Sequence, residues 1–196
     1  MAMYDTGYLF AEGWGVSRDY VEAMKWYRKA ADAWDAPAMN EIGWLYAKGL
    51  GVGQDYAEAM KWYQKAADLG HAGGMLEVGN LYQKGLGVPQ DYAEAMKWYR
   101  KAADAGDAEA MLNVGFMYDL GHGVAMDHAE AVKWFRKSCE AGNEYAAIML
   151  GISYADGTGV PKDLDAAEKW IRKVAASKDK AVRERAAKAL KSIGRE

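Results

Sequence analysis

Apolar and polar positions along the chain follow one pattern that returns every 36 residues. Five tryptophans keep this spacing without slippage: Trp26, Trp62, Trp98, Trp134 and Trp170. The block at residues 51–63 also reappears almost unchanged at residues 87–99. Self-similarity at a fixed period of this length is typical of repeat arrays, in which each unit packs on its neighbours. The sequence therefore predicts a repeat protein rather than a domain with one closed core.

The first half of each unit predicts an α-helix, which we name helix A. In the second unit Ala38, Ile42, Gly43 and Tyr46 lie at helical spacing, and Gly49 follows as a residue that can take a positive φ and end the helix. Glycine inside a helix costs about 1 kcal/mol relative to alanine. The return of a glycine at position 43 in every repeat therefore predicts close approach of another helix.

The second half of each unit predicts a second helix, helix B. Asp55 and Glu58 form a capping-box-like pair at its start, and Gly70 marks its end. Its buried residues are expected to be Ala59, Trp62, Tyr63 and Ala66. We expect the small Ala59 to face the helix A glycine, Gly43, with the aromatic residues filling the wider gaps. Trp34 replaces the terminating glycine of the first repeat, so that helix B is expected to end differently.

These elements predict an all-α fold, an α/α solenoid, and one domain over residues 1–196. Residues 182–190 continue the helix A register in a segment rich in lysine and arginine, which suits a polar capping helix. The boundaries follow from the period: repeats at about 1–36, 37–72, 73–108, 109–144 and 145–180, and a capping helix at 181–193.

Charge is distributed unevenly along the chain. The formal net charge is −3, but the last nineteen residues carry seven basic and three acidic side chains, against 18 basic and 25 acidic in residues 1–177. A nucleic-acid platform needs a basic stripe along its surface, so an acidic array predicts that nucleic acid is not a partner. The basic tail is interpreted as a solvated helix face.

No apolar run is long enough to span a membrane, and the amino terminus lacks a basic region followed by an apolar stretch. We therefore expect no membrane association and a cytoplasmic location. A secreted or periplasmic location stays open if a leader has been trimmed. Cys139 is the single cysteine and replaces an alanine of the other repeats. It is interpreted as a small buried side chain rather than a reactive thiol.

Catalytic and metal-binding patterns are missing from the sequence. His71, His122 and His128 have no second ligand at a metal-binding spacing, and the glycine-rich turns lack the Lys-Ser/Thr pair of a phosphate loop. Serine, cysteine and histidine form no nucleophile–base constellation. We expect no enzymatic activity, no metal and no cofactor.

Residues 38–67 read Ala-x-x-x-Ile-Gly-x-x-Tyr-x-x-Gly-x-Gly-Val-x-x-Asp-x-x-x-Ala-x-x-Trp-Tyr-x-Lys-Ala-Ala. This pattern closely resembles the Sel-one-like repeat (SLR) family, a relative of the tetratricopeptide repeats, and the resemblance covers essentially the whole chain. It implies a right-handed superhelix of helix pairs whose A helices line a concave face. It also implies an adaptor for protein complexes, associated in bacteria with signalling, host interaction or immunity against toxins. In some bacterial relatives a disulfide crosslinks each repeat, whereas a chain with a single cysteine cannot form one.

By analogy with the tetratricopeptide arrangement, positions 37, 40, 44 and 48 of helix A point into that concave groove. Their chemistry changes from repeat to repeat, whereas the frame is constant. The predicted partner-binding residues, which we name the stripe, are Tyr4, Tyr8, Asn40, Trp44, Lys48, Leu76, Asn80, Lys84, Leu112, Phe116, Leu120, Tyr145, Ile148 and Ile152. An exposed apolar stripe marks an interaction surface. The alternative is that neighbouring A helices cover the stripe, which would make it ordinary core.

Two functions stay open from the sequence. The first is a non-catalytic scaffold or adaptor that binds a peptide or a helix of a partner protein in the groove. The second is an inhibitor or immunity protein that occludes a folded toxin or enzyme. The first repeat has no preceding cap, and Tyr4, Leu9 and Phe10 are expected to be partly uncovered. Self-association through this repeat is therefore a further hypothesis.

Overall fold

The computed structural model describes residues 2–195, with Ala2 by its backbone alone. Residues 1 and 196, the ends of the predicted domain, lie outside the described residues. The part described is all α-helical and contains no strand. The helices are α1 Ala2–Glu12, α2 Tyr20–Asp32, α3 Ala36–Lys48, α4 Tyr56–Asp68, α5 Ala72–Lys84, α6 Tyr92–Asp104, α7 Ala108–Leu120, α8 His128–Glu140, α9 Glu144–Asp156, α10 Leu164–Arg172 and α11 Lys180–Ser192. The prediction of an all-α fold is confirmed.

The helices belong to two compact units, residues 1–105 with α1–α6 and residues 106–196 with α7–α11. In the first unit α1 packs on α2, α3 on α4 and α5 on α6, and each B helix also contacts the next A helix of the unit. The second unit repeats this order with α7 on α8, α8 on α9 and α9 on α10. There α11 contacts both α9 and α10.

The helix ends follow from local hydrogen bonding. Gly49 ends α3 in the left-handed conformation with φ 68°, as the sequence predicts. At the start of α4 the Asp55 carboxylate accepts the backbone N–H of Glu58 at 2.9 Å. The reciprocal bond of a capping box is not formed, because the Asp55 N–H donates to the Tyr46 carbonyl at 3.0 Å. Glu58 instead accepts from Lys61 Nζ at 2.9 Å and from the Trp62 indole at 3.1 Å.

The close contact within each helix pair is between the helix A glycine and a bulky side chain of helix B. A Cβ atom on Gly43 would lie 2.7 Å from the ring carbons Cδ1 and Cε1 of Tyr63, which is 2% exposed. The predicted close approach is confirmed, but the nearest contact is the bulky side chain. The same contact joins Gly7 to Tyr27, Gly79 to Tyr99, Gly115 to Phe135 and Gly151 to Ile171. The predicted alanines also lie at the glycines in three pairs, where the carbonyl oxygens of Ala23, Ala131 and Ala167 are 3.1–3.4 Å from the Cβ position.

The repeated tryptophans are half-buried, which corrects the expectation that Trp62 is a buried core residue. The Lys65 ammonium lies 4.0 Å from the centroid of its indole ring. A cation over the ring face and the alkyl stem of the lysine stabilise an indole that stays at the surface. The same pairing joins Lys29 to Trp26, Lys101 to Trp98, Lys137 to Trp134 and Lys173 to Trp170. The repeat therefore buries the tyrosine and leaves the neighbouring tryptophan partly accessible.

Trp34 ends the first B helix in an unusual conformation. Its φ is 63°, the single positive value at a residue other than glycine in the described part of the chain, and its side chain is 76% exposed. The Asp35 N–H donates to the Ala30 carbonyl at 3.2 Å, as the His71 N–H donates to the Ala66 carbonyl at 3.0 Å. The first B helix therefore ends as the others do, and the expectation of a different ending is wrong. A bulky residue in this region costs about 1–2 kcal/mol.

The buried tyrosines differ in how their hydroxyls are bonded. The Tyr99 hydroxyl lies 2.8 Å from Asn80 Oδ1 and 2.7 Å from Gln83 Oε1, both on α5 of the same repeat. In the first repeat the equivalent positions are Tyr8 and Ala11, which offer no amide oxygen. The Tyr27 hydroxyl is buried without a hydrogen-bond partner among the described residues. Tyr27 and Tyr99 thus occupy the same position of their repeats but differ in hydrogen bonding.

We expect Gly79→Ala to destabilise the protein by up to about 2 kcal/mol. Overpacking of the new methyl group against Tyr99 costs about 1–3 kcal/mol, and the gain in helix propensity offsets about 1 kcal/mol of this cost. Gly53→Ala is the matched control, since a Cβ there meets no atom within 4 Å. Urea unfolding measures both, and equal midpoints for the two variants would contradict the glycine–ring contact.

We expect Trp34→Gly to raise the free energy of unfolding by about 1 kcal/mol, because glycine takes positive φ without the penalty of a side chain. Gly70→Ala, at the same position one repeat later with φ 84° and open space around its Cβ, should lower it by a similar amount. Urea unfolding of both variants is the measurement. A loss of stability in Trp34→Gly would show that the indole contributes more than its conformation costs.

We expect Tyr99→Phe to lower the free energy of unfolding by about 1 kcal/mol, since it removes a hydrogen bond to the α5 amides. Tyr27→Phe removes a buried hydroxyl without a partner and should leave stability unchanged or raise it. Urea unfolding of the two variants compares the same substitution in the same frame. An equal loss in both would mean that the Tyr27 hydroxyl is bonded in solution.

Candidate functional site

The stripe predicted from the sequence divides into rows that differ in burial. Three apolar residues at position 40 are buried: Leu76, Leu112 and Ile148 are 7%, 8% and 3% exposed. Leu112 belongs to a cluster with Leu150 of α9, and Ile148 to a cluster with Val182 of α11. The prediction that these three side chains contact solvent is therefore wrong. They are core, which is the alternative that the sequence left open.

The row at position 44 is accessible in both units. Tyr8 and Ile152 are 37% and 39% exposed, and Trp44, Asn80 and Phe116 are half-buried. Phe116 meets Phe135 of the helix B that follows it, with ring centroids 5.3 Å apart. These side chains therefore present part of their surface to solvent while they pack on the frame.

The ends of helix A supply the most exposed residues of the stripe. Lys48 and Lys84 are exposed, and Leu120 is 57% exposed. Tyr145, at the start of α9, is half-buried, and the guanidinium carbon of Arg185 lies 4.7 Å from its ring centroid. In the second unit α11 therefore covers part of the predicted stripe.

In the first unit the structure brings aromatic side chains together. The Tyr4 and Tyr8 rings stack with centroids 6.4 Å apart, and Trp14 meets Tyr8 edge-on at 5.5 Å. Tyr4 is half-buried and Trp14 is 60% exposed. Trp44 of α3 lies 6.3 Å from Tyr20 of α2, again measured between ring centroids. We name Tyr4, Tyr8, Asn40, Glu41 and Trp44, which lie on α1 and α3, the α1–α3 face.

The sequence reasoning missed Glu41 and the hydroxyl of Tyr27. Glu41 is half-buried, and its Oε1 accepts from Asn40 Nδ2 at 3.4 Å. A signal was present in the sequence. Position 41 lies three residues before position 44, a spacing that puts both on one helix face, and its residue changes between repeats: Asp5, Glu41, Glu77, Asn113 and Met149. Nothing in the sequence shows which tyrosine hydroxyl lacks a partner.

The electrostatics of this face are acidic. Burial raises the pKa of the Glu41 carboxyl, and the nearby Glu12 charge raises it further, whereas the bond from Asn40 lowers it. The pKa of Tyr4 is also raised, first by burial and then by Glu41. For Tyr27, which is 1% exposed, burial and then Glu41 raise the pKa. The Glu41 carboxylate is therefore within electrostatic reach of both rings.

Cys139 is half-buried in the second unit, where it packs against two clusters of buried residues. Burial raises the pKa of its thiol more than the Lys173 charge lowers it. A thiol with a raised pKa is a poor nucleophile at neutral pH, because the thiolate is the reactive form.

Metal sites and membrane spans are two other classes of site. Over residues 2–195 no three His, Cys, Asp or Glu side chains converge in a way that could hold a metal ion. Within the same range no helix has the length and apolar character needed to cross a bilayer.

Comparison with known proteins identifies the repeat. The Sel1 repeat model matches five consecutive segments, 1–33, 36–71, 72–107, 108–143 and 144–179. No curated protein sequence matches the chain.

Among solved structures, a Sel1 repeat protein from Oxalobacter formigenes is 37% identical with a TM-score of 0.82, over 93% of this chain and 75% of that one. A protective antigen of uropathogenic Escherichia coli with an SLR fold is 34% identical with a TM-score of 0.85, over 97% of this chain and 41% of that one. The chain thus spans less than half of that antigen. Helicobacter pylori cysteine-rich protein B is 26% identical with a TM-score of 0.52, over 66% of this chain and 92% of that one.

These matches confirm the repeat solenoid and the resemblance seen in the sequence. Sel1 repeat proteins generally mediate protein–protein interactions, and the repeat scaffold is generally non-catalytic. With five matched segments that together cover most of its length, the chain belongs to the Sel1 repeat family.

Proposed function

We propose that the chain is a non-catalytic adaptor that binds a peptide or a helix of a partner protein on the α1–α3 face. The observation that carries this proposal is the accessible aromatic surface of the first unit. Tyr8 of α1 and Trp14 of the turn after α1 are 37% and 60% exposed and touch each other. Tyr4 of α1 and Trp44 of α3 add half-buried rings. Exposed apolar surface of this kind marks interaction sites in soluble proteins.

The composition of this face supports a protein ligand. Aromatic rings supply contact area with little loss of conformational entropy, and they are enriched at the centres of protein interfaces. The exposed Lys48 supplies a charge at the end of α3. The frame below is built from residues that recur in each repeat, so changes at these positions can alter binding without altering the helix pairs.

The sites in the second unit are less suited to this role. Leu112 and Ile148 are buried there, and Arg185 of α11 lies over Tyr145. Ile152 lines two clefts on α9 and α11, of about 360 and 400 Å³, together with the charged Lys162 in one and Arg185 in the other. The first unit therefore offers three accessible aromatic residues of the stripe, Tyr4, Tyr8 and Trp44, whereas Tyr145 of the second unit lies under Arg185.

The proposal can be tested by selecting peptides of about twelve residues from a displayed random library on the immobilised protein. We expect Tyr8→Ala and Trp14→Ala to weaken binding of a selected peptide by about 2 kcal/mol each, roughly 30-fold, as aromatic anchors do. Calorimetry or fluorescence anisotropy measures the dissociation constants. Val21→Ala is the control, because Val21 is 52% exposed but lies on α2.

Trp44 packs on buried clusters, so Trp44→Ala is expected to lower both affinity and stability. Circular dichroism and urea unfolding of each variant distinguish a loss of binding from a loss of folding. Equal loss of affinity in Val21→Ala would place the site elsewhere. Failure to select any peptide, together with capture of one folded protein in a complex of defined size, would favour the inhibitor or immunity function.

A further inference from the structure

Glu41 is a carboxylate that the fold desolvates without giving it a counter-ion. Its hydrogen bond from Asn40 Nδ2 is long, at 3.4 Å, and no cationic side chain pairs with it among residues 2–195. The carboxylate one repeat later also accepts from an asparagine, since Glu77 Oε2 accepts from Asn80 Nδ2 at 3.2 Å, but burial raises the pKa of Glu41. Removing a carboxylate from water without a compensating partner costs free energy. The repeat frame does not require this cost, because position 41 is asparagine or methionine in later repeats.

Two further polar atoms on this side of the first unit are buried without a partner among the described residues. They are the hydroxyl of Tyr27, whose residue is 1% exposed, and Oδ1 of Asn40. The Tyr27 oxygen and the Asn40 oxygen can each accept a hydrogen bond. Both atoms are inaccessible to solvent, so the acceptor that a ligand can reach is the half-buried Glu41 carboxylate. Its two oxygens can accept hydrogen bonds from a group with several N–H donors.

The surroundings of these acceptors are aromatic and negatively charged. The Tyr4 ring lies 5.7 Å from the Tyr27 ring and 6.4 Å from the Tyr8 ring, measured between centroids. Glu12 lies near enough to raise the pKa of Glu41, and Asp35 and Asp5 act on Tyr4 in the same way. Ring faces attract cations, and a like-charged neighbourhood increases the benefit of a cation at Glu41.

We propose that the α1–α3 face binds an arginine side chain of the partner peptide, with Glu41 as its counter-ion and Tyr4 and Tyr8 as aromatic neighbours. The guanidinium group has five N–H donors in a planar fork, stacks on aromatic rings and is more weakly hydrated than an ammonium group. It therefore suits a carboxylate beside aromatic rings better than lysine does. This inference rests on the proposed peptide-binding function and adds to it the chemistry of one recognised residue.

The test uses the peptides selected on the wild-type protein, and we expect them to share an arginine at one position. Replacing that arginine by citrulline keeps the shape of the side chain and removes its charge, and we expect the dissociation constant to rise about tenfold or more. Glu41→Gln in the protein should produce a similar rise with the arginine peptide. The two changes together should weaken binding no more than either alone, because both remove the same pair.

Glu77→Gln is the matched control, with the same substitution one repeat later at a carboxylate of α5, outside the α1–α3 face. It should change the dissociation constant less than twofold. Glu41→Gln should fold normally, and its urea midpoint at pH 7 should equal or exceed that of the wild type. The sign follows from the raised pKa: burial penalises the ionised carboxyl at pH 7, and this penalty disappears below the ordinary carboxyl value.

The outcomes separate the two proposals. Selected peptides without a shared arginine, or equal effects of Glu41→Gln and Glu77→Gln, would overturn the arginine assignment and leave the peptide-binding function standing. The same conclusion follows if lysine replaces arginine without loss, since any cation would then serve. Enrichment of no peptide would overturn both proposals. A marked fall of the urea midpoint in Glu41→Gln would show that the carboxylate stabilises the fold, and would also overturn the arginine assignment.

Discussion

The spacing of every helix pair depends on one contact, in which a bulky side chain of helix B lies on a glycine of helix A. A Cβ on Gly43 or Gly79 would come within 2.7 Å of the ring of Tyr63 or Tyr99, a distance that real side chains do not reach. The glycine costs about 1 kcal/mol of helix propensity in each pair. Burial of a tyrosine that is at most 2% exposed offsets this cost, because an aromatic ring removes a large apolar area from water.

The contact tolerates different partners, as the second unit shows. Gly115 meets Phe135 and Gly151 meets Ile171, while the neighbouring alanine carbonyls of α8 and α10 lie 3.4 and 3.1 Å from the same positions. The glycine is therefore the fixed member of the pair, and the bulky residue can change as long as it fills the space. Phenylalanine and isoleucine also remove the hydroxyl that Tyr99 bonds and Tyr27 leaves unbonded. Repeats can lose this polar group without losing the helix spacing.

The sequence predicts the helix ends well and the burial of individual side chains poorly, for a physical reason. Helix ends follow from local chemistry, so Asp55 and Gly49 could be placed from the sequence alone. Burial within a pair depends on the side that a helix presents to its neighbour. Trp62 and Tyr63 are adjacent in sequence, yet the tyrosine is buried and the tryptophan is half-buried beneath Lys65. Leu112 was expected to face solvent, but it is buried in a cluster with residues of α8 and α9.

Trp34 and Glu41 share a property that distinguishes them from the frame. Each lowers the stability of the fold at a position where other repeats have a residue without this free-energy cost. The residue is glycine in place of Trp34, and asparagine or methionine in place of Glu41. A backbone in the left-handed region and a desolvated carboxylate are features that persist when the surrounding structure holds them in place. The glycine–ring contacts supply that support, because they fix the helix pairs independently of both residues. Both costs lie in the first two repeats, and the helix pairs there keep the same glycine contacts as in the other repeats.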